Sequence, residues 1–177
     1  AGDITGGPYF THYAGFQAFG ILRNLLFPAP FKTQATLTHV PWAVFTDPEI
    51  AQAGITEAQA RQQHGERIHI TRLPMARSDR AMTEGKSAGF LKLVHLPNGK
   101  LLGATVVGLN AGDLINEWAH IIRKGGKLGD VSAMMRVYPS YSHVNTVLAT
   151  EQLKRQIKTG VSGRVLRLAV RVLQRWA

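Results

Sequence analysis

A chain of 177 residues, 45% of them apolar and 18 of them glycine, is long enough to bury a real core and fits one compact domain with attached arms. The absence of cysteine excludes a disulfide framework, a thiolate-ligated metal or iron–sulfur site, and dithiol redox chemistry carried by these residues. The formal charge of +10 suggests nucleic acid only until it is located: residues 151–177 hold Lys154, Arg155, Lys158, Arg164, Arg167, Arg171 and Arg175 against Glu151, a net +6 in the tail.

The chain opens on Ala1-Gly2-Asp3-Ile4-Thr5-Gly6-Gly7, a glycine-rich turn with a lone acid. A helical pattern follows through Tyr13, Phe16, Phe19, Leu22 and Leu26, closed by Pro28 and Pro30. A Gly-Asp turn feeding a helix N-terminus suits a phosphate, a ribityl chain or an anionic ring; an ordinary cap by Thr5 or Thr11 is the competing reading. Pro28-Ala29-Pro30 reads as a rigid connector and Pro41–Phe45 as a strand. Ile50, Ala51 and Ala53 read as a short turn before Gly54, and Thr56-Glu57-Ala58-Gln59 as a capped helix start running to about Gln63. Arg67 to Leu73 alternates as a half-buried strand, and Met75 to Gly85 reads as a loop or a single turn.

Gly89–Leu96 and Leu101–Gly108, two β-rich runs around Asn98-Gly99, predict a hairpin. Asn110 to Arg123 predicts a helix with Leu114, Ile115, Trp118, Ile121 and Ile122 on one face. Shorter and longer helices are expected over Leu128–Met135 and Ser142–Ile157. The fold class is therefore α+β, an antiparallel sheet with helices packed on one side, an N-terminal helical arm and a basic C-terminal helix.

Five of these features, in this order, resemble the pyridine nucleotide–disulfide oxidoreductase family: Ala-Gly-Asp before a helix, Val40–Ala51, the Gly89–Gly108 hairpin, Ala111-Gly112-Asp113-Leu114-Ile115-Asn116-Glu117, and Tyr138-Pro139-Ser140. The likeness covers roughly residues 1–158 and lies with the C-terminal third of the family, its last FAD-binding motif and its dimerisation domain. It divides the chain into 1–30, a remnant of the FAD-binding domain; 31–158, the dimerisation domain; and 159–177, a basic amphipathic helix.

The resemblance implies that Gly2 and Asp3 lie at the ribityl and pyrophosphate part of FAD, with Thr11 near the flavin pyrimidine ring. It further implies a homodimer whose loop Val137–His143 reaches across the two-fold axis towards the partner's flavin. In thiol-substrate members that loop reads His-Pro-Thr-x-Ser-Glu, where the His–Glu pair is the acid/base; here Tyr138 replaces the His and His143 the Glu. A phenol with a pKa of about 10 is a poor base at neutral pH beside an imidazole at about 6.5. Glutathione- or lipoamide-type chemistry is therefore not expected, and the tyrosine is similar to the mercuric reductase-like branch. Mercury reduction itself, which also uses cysteines near the C-terminus, is not expected either.

The Gly-x-Gly-x-x-Gly fingerprints of FAD and NAD(P) and the redox cysteine pair do not occur in these residues. The upstream FAD and NAD(P) domains of the same parent are the implied partners, and the NAD(P)H site is absent from this chain. The chain alone, an excised domain or a truncated product, is expected to fold and dimerise without turning over substrate, with the electron acceptor unspecified. The alternative is a stand-alone dimerisation module without redox activity.

Ser140, Ser142 and His143 lack the Gly-x-Ser-x-Gly frame of a hydrolase, and no two histidines stand four apart as a zinc pair would. No nucleic-acid partner is expected, since the tail arginines lack interleaved aromatics. No secretory segment opens the chain and no run of about 18 uncharged apolar residues is present, so the expected location is cytoplasmic. In the tail, Val165, Leu168, Ala169, Val172, Leu173 and Trp176 share a helical face opposite an arginine stripe. Docking on its own dimer is the preferred reading, and peripheral contact with an anionic membrane the second.

Overall fold

The computed structural model describes residues 1–28, 30–32, 34 and 40–159. Ala29 of the proline connector and the residues beyond 159, where the sequence predicts the basic tail helix, lie outside the described residues. The helices are α1 (Thr11–Leu26), α2 (Glu57–His64), α3 (Asp79–Thr83), α4 (Ala111–Arg123), α5 (Leu128–Ser132) and α6 (His143–Thr159). The strands are β1 (Trp42–Val44), β2 (Glu49–Gly54), β3 (His69–Pro74), β4 (Phe90–His95) and β5 (Leu101–Gly108), all antiparallel in the order β1-β2-β5-β4-β3.

Register and the two-residue period of strands decide which side chains are buried together. Ala51 opposes Val106, Val106 opposes Leu91, and Leu91 opposes Leu73; one step along, Ala53, Ala104 and Leu93 share the same face. Onto this face α4 lays Leu114, Ile115, Trp118, Ile121 and Ile122, joined by Leu128 and Val131 of α5 and Val144 and Leu148 of α6. A fully buried leucine or isoleucine contributes about 1.5–3 kcal/mol, so this single layer dominates stability. The α+β architecture read from the sequence holds. The small helix α2 adds a satellite on the opposite face, where Ala60 packs with Ile68 and Val94. Its start carries the expected capping box, with the Thr56 hydroxyl accepting from Gln59 N and the Gln59 side chain from Thr56 N.

Two segments depart from the sequence reading. Residues 49–54 form a full central strand instead of a turn, because β1 and β5 flank it on both sides; its alanines, poor β-formers by propensity, are small enough for α4 to lie against them. Residues 75–85 are ordered into a one-turn 3₁₀ segment, Met75–Arg77, and the short helix α3. Met75 and Ala81, both fully buried, anchor them to the core, and the Ser78 hydroxyl accepts from Ala81 N at 3.4 Å.

Candidate functional site

The N-terminal turn is built by local hydrogen bonds. Gly2, at φ 82°, takes a conformation that only glycine adopts cheaply, and its N–H donates to Gln17 Oε1 at 2.7 Å. The Thr5 hydroxyl donates to Gly2 O at 2.8 Å and accepts from Gln17 Nε2 at 3.0 Å. Gln17, one and a half turns into α1, thus fixes the turn against the helix and leaves the Asp3 side chain exposed. Thr5 is committed to the turn, Thr11 is the first helical residue, and the N-cap position belongs to Phe10, whose side chain cannot cap. The reading as an ordinary capped helix therefore fails: the first N–H groups of α1 receive no side-chain acceptor.

Beside that helix end lies an open cleft of about 420 Å³ lined by Tyr9, Phe10, Thr11, Trp42, Phe45 and Asn116, among others. His12 Nε2 lies 2.8 Å from Pro41 O and ties α1 to the segment entering β1. Tyr13 of α1 is buried, while Tyr9 and Phe10 line the cleft. Trp42 of β1 and Phe45, just past its end, also line it, and no periodicity in the sequence pairs them.

The second cluster is the loop 137–143. The Tyr138 hydroxyl donates to Asp79 Oδ2 at 2.9 Å, and its ring meets that of His143 edge-on with centroids 5.3 Å apart. The Asp79 carboxylate holds the Tyr138 phenol above its ordinary range by accepting its proton and by its charge. Tyr141 donates to Glu84 Oε2, and burial together with that carboxylate pushes its pKa up to about 12. The same bond, then Arg80, holds the Glu84 carboxyl below its usual value. Ser140 donates to Val137 O at 2.6 Å and sits 3.0 Å from Ser142, while His143 faces Tyr138, so neither serine is paired with a base. Asp79 and Glu84 were missed by sequence reading, since they stand 59 and 57 residues before the tyrosines that bond them.

Beneath this loop lies a buried polar knot. Arg136 donates to both carboxylate oxygens of Glu117, to Val131 O and Met134 O, and to the Thr146 hydroxyl. Asn145 donates to the same carboxylate and accepts from Trp118 Nε1 at 2.9 Å.

The structure does not bring the predicted residues into one place. Thr11 lies in the cleft beside β1, with Gly2 and Asp3 on the turn that Gln17 holds against α1, whereas Tyr138 and His143 lie with the segment that leaves β3. These are the two outer strands of the sheet, four inter-strand steps or roughly 19 Å apart. Among the described residues no group of three His, Asp or Glu could hold a metal ion, and no helix is long and apolar enough to cross a membrane.

Residues 40–148 match the family described as pyridine nucleotide-disulphide oxidoreductase, dimerisation domain. A dihydrolipoyl dehydrogenase of Halobacterium salinarum is 35% identical over 162 residues, covering 89% of this chain and 33% of that protein. A mercuric reductase of Bacillus cereus is 34% identical over 139 residues, covering 78% of this chain and 22% of that protein. The HOCl-induced flavoprotein disulfide reductase RclA from Escherichia coli superposes with a TM-score of 0.75 at 28% identity, over 84% of this chain and 34% of its own. The chain spans about a quarter to a third of the length of the curated relatives it matches. It belongs to the pyridine nucleotide–disulfide oxidoreductase family and carries that family's dimerisation domain.

Proposed function

We propose that this chain is the C-terminal part of an FAD-dependent NAD(P)H oxidoreductase, supplying the homodimer interface and one edge of the flavin site, with the remaining walls upstream. The observation that carries the reading is the uncapped N-terminus of α1 beside the Gly2–Thr5 turn, with Asp3 exposed and Thr11 in the cleft. A helix end with unmet N–H groups favours developing negative charge, and an exposed carboxylate accepts from hydroxyls, so these residues fit one edge of FAD. Gly2, Asp3 and Thr11 would hold one edge of FAD, which would supply the hydride chemistry between NAD(P)H and the acceptor.

The outer face of α1 supports the same reading. Phe19, Leu25 and Leu26 are 76%, 79% and 67% exposed on a helix of 16 residues, a length at the margin of stability in water without packing. An apolar face of that kind suits burial against an upstream domain, consistent with assigning 1–30 to the FAD-binding domain, 31–158 to dimerisation and 159–177 to an appended helix. The separation of the two clusters suits a site shared between subunits. Asp3 and Thr11 would meet their own flavin while Tyr138 and His143 would meet the partner's.

Tyr138 is bound to a carboxylate at the position where thiol-substrate members hold an imidazole, so it is no base at neutral pH. This points away from thiol exchange. Light scattering on the 177-residue chain should give a dimer, and flavin retention should be negligible. A strictly monomeric chain at high concentration would overturn the proposal. A dimer that still binds no flavin when rejoined to its upstream domains would favour a stand-alone interaction module.

A further inference from the structure

We propose that Asp79 is the positioning residue of Tyr138, fixing the phenol on the 137–143 loop by taking its one hydrogen-bond donor and leaving the oxygen lone pairs free to accept. The inference rests on the reading above that this loop belongs to the site, and adds to it a residue from a different element.

The geometry is specific. Asp79 opens α3, whose footing is rigid because Ser78, Ala81 and the preceding Met75 are all buried. The carboxylate therefore stands on a fixed backbone although its side chain is exposed. Its oxygen lies 2.9 Å from the Tyr138 hydroxyl. The neighbouring cations are engaged elsewhere: Arg77 with Glu151 at 2.7 Å, and Arg80 with Glu84. His143, on α6, meets the Tyr138 ring edge-on, and on the same loop Tyr141 is held by Glu84 in the same manner.

Two phenols of one loop are thus latched to two carboxylates of one short segment. A phenol that donates its single proton to a carboxylate has only acceptor capacity left. Tyr138 then offers a lone pair to whatever occupies the site, and a ligand carrying N–H or O–H is favoured over one carrying only carbonyl oxygens. The carboxylate also disfavours the phenolate, so this loop holds its proton through the neutral range.

The test is a pH titration of the 177-residue chain with carbon-labelled tyrosine rings, followed by NMR, with Tyr138→Phe identifying the signal. Asp79→Asn should lower the Tyr138 titration midpoint towards that of a free phenol, about 10. Asp79→Glu should restore the raised midpoint, and Glu84→Gln should move Tyr141 while leaving Tyr138 in place. An unchanged Tyr138 midpoint in Asp79→Asn overturns the assignment.

Should Asp79→Asn fail to fold, the wild-type chain still decides. Its Tyr138 midpoint should lie above that of a free phenol, about 10, and a midpoint at or below that value refutes the pair. The readout needs neither flavin nor turnover. Unchanged turnover of Tyr138→Phe in the full-length parent would remove the loop from the site while leaving the Asp79 contact standing.

Discussion

Replacing Arg136 with alanine should be among the most damaging single changes available outside the apolar core. The Arg136 side chain is 5% exposed and that of Glu117 20%, so the pair is largely withdrawn from water. The guanidinium also donates to Val131 O at 3.0 Å and Met134 O at 3.2 Å, gathering the end of α5, the segment after it and α6 around one group. Removing it leaves the Glu117 carboxylate with the Asn145 amide at 3.2 Å as its remaining side-chain donor. A buried pair broken on one side costs about 3–5 kcal/mol, because the surviving charge is left uncompensated. For a chain of this size, that corresponds to a fall in Tm of roughly 6–20 °C. Calorimetry or urea unfolding at fixed protein concentration measures it, since dimer formation, where it occurs, would make stability concentration-dependent. The double variant Arg136→Met with Glu117→Leu should recover much of the loss, because it removes both charges and keeps the volume. A loss below about 1 kcal/mol in Arg136→Ala would refute the reasoning, since that is how a solvated surface pair behaves.

Further outcomes follow from other places in the structure. Gly89→Ala should destabilise by more than about 2 kcal/mol in urea, since φ is +111° and a Cβ would stand 2.0 Å from Val107 O, a backbone atom that cannot swing away. Thr56→Ala should cost about 1 kcal/mol by removing the cap of α2, and Thr56→Ser should cost much less. Tyr141 carries a folded pKa of about 12 against about 10 unfolded. Its contribution is therefore complete below pH 10 and lost as pH rises through 12, and Tyr141→Phe should flatten stability over that window. His95 behaves in the opposite sense: it is fully buried, with Thr71 Oγ1 and Leu96 O each 3.0 Å from a ring nitrogen, and burial lowers its pKa. Its contribution is complete above about 6.5 and lost as pH falls through the lowered value, so His95→Leu should weaken the acid dependence of unfolding.

Much of the fold was legible because each strong signal was local. The hairpin around Asn98-Gly99 is such a case: the Asn98 side chain accepts from Lys100 N within its own turn. The α4 face needed only the spacing of Leu114, Ile115, Trp118, Ile121 and Ile122, all of which are buried. The missed strand β2 is different in kind. Ala51 and Ala53 carry no β signal of their own, and the strand exists because neighbours on both sides pair with it. The short helix α3 is likewise specified by the burial of Ala81 and Met75 in the core that β4, β5 and α4 build, which residues 75–85 by themselves do not reveal. The candidate site follows the same division. Asp3 and Thr11 announced themselves by sitting at a turn and a helix start, whereas Asp79 reaches Tyr138 only after β4, β5 and α4 have brought two distant loops together.

That division bears on what the chain can do. One cluster sits beside the first strand of the sheet and the other beyond the last, so the rigid layer of α4 on β2 and β5 holds them apart. A small rearrangement cannot close roughly 19 Å across five hydrogen-bonded strands. A site that uses both clusters must therefore be completed by a second subunit, and the two-fold symmetry of a dimer supplies that second copy in a fixed orientation. Under the proposed function the dimerisation domain would be more than an adhesive surface, because it would carry the 137–143 loop to the partner's flavin. Weakening the dimer by a substitution far from both clusters should abolish turnover in the full-length parent while leaving its flavin bound. Activity that persists in such a monomer would show that one chain is sufficient and that Tyr138 has no part in the site.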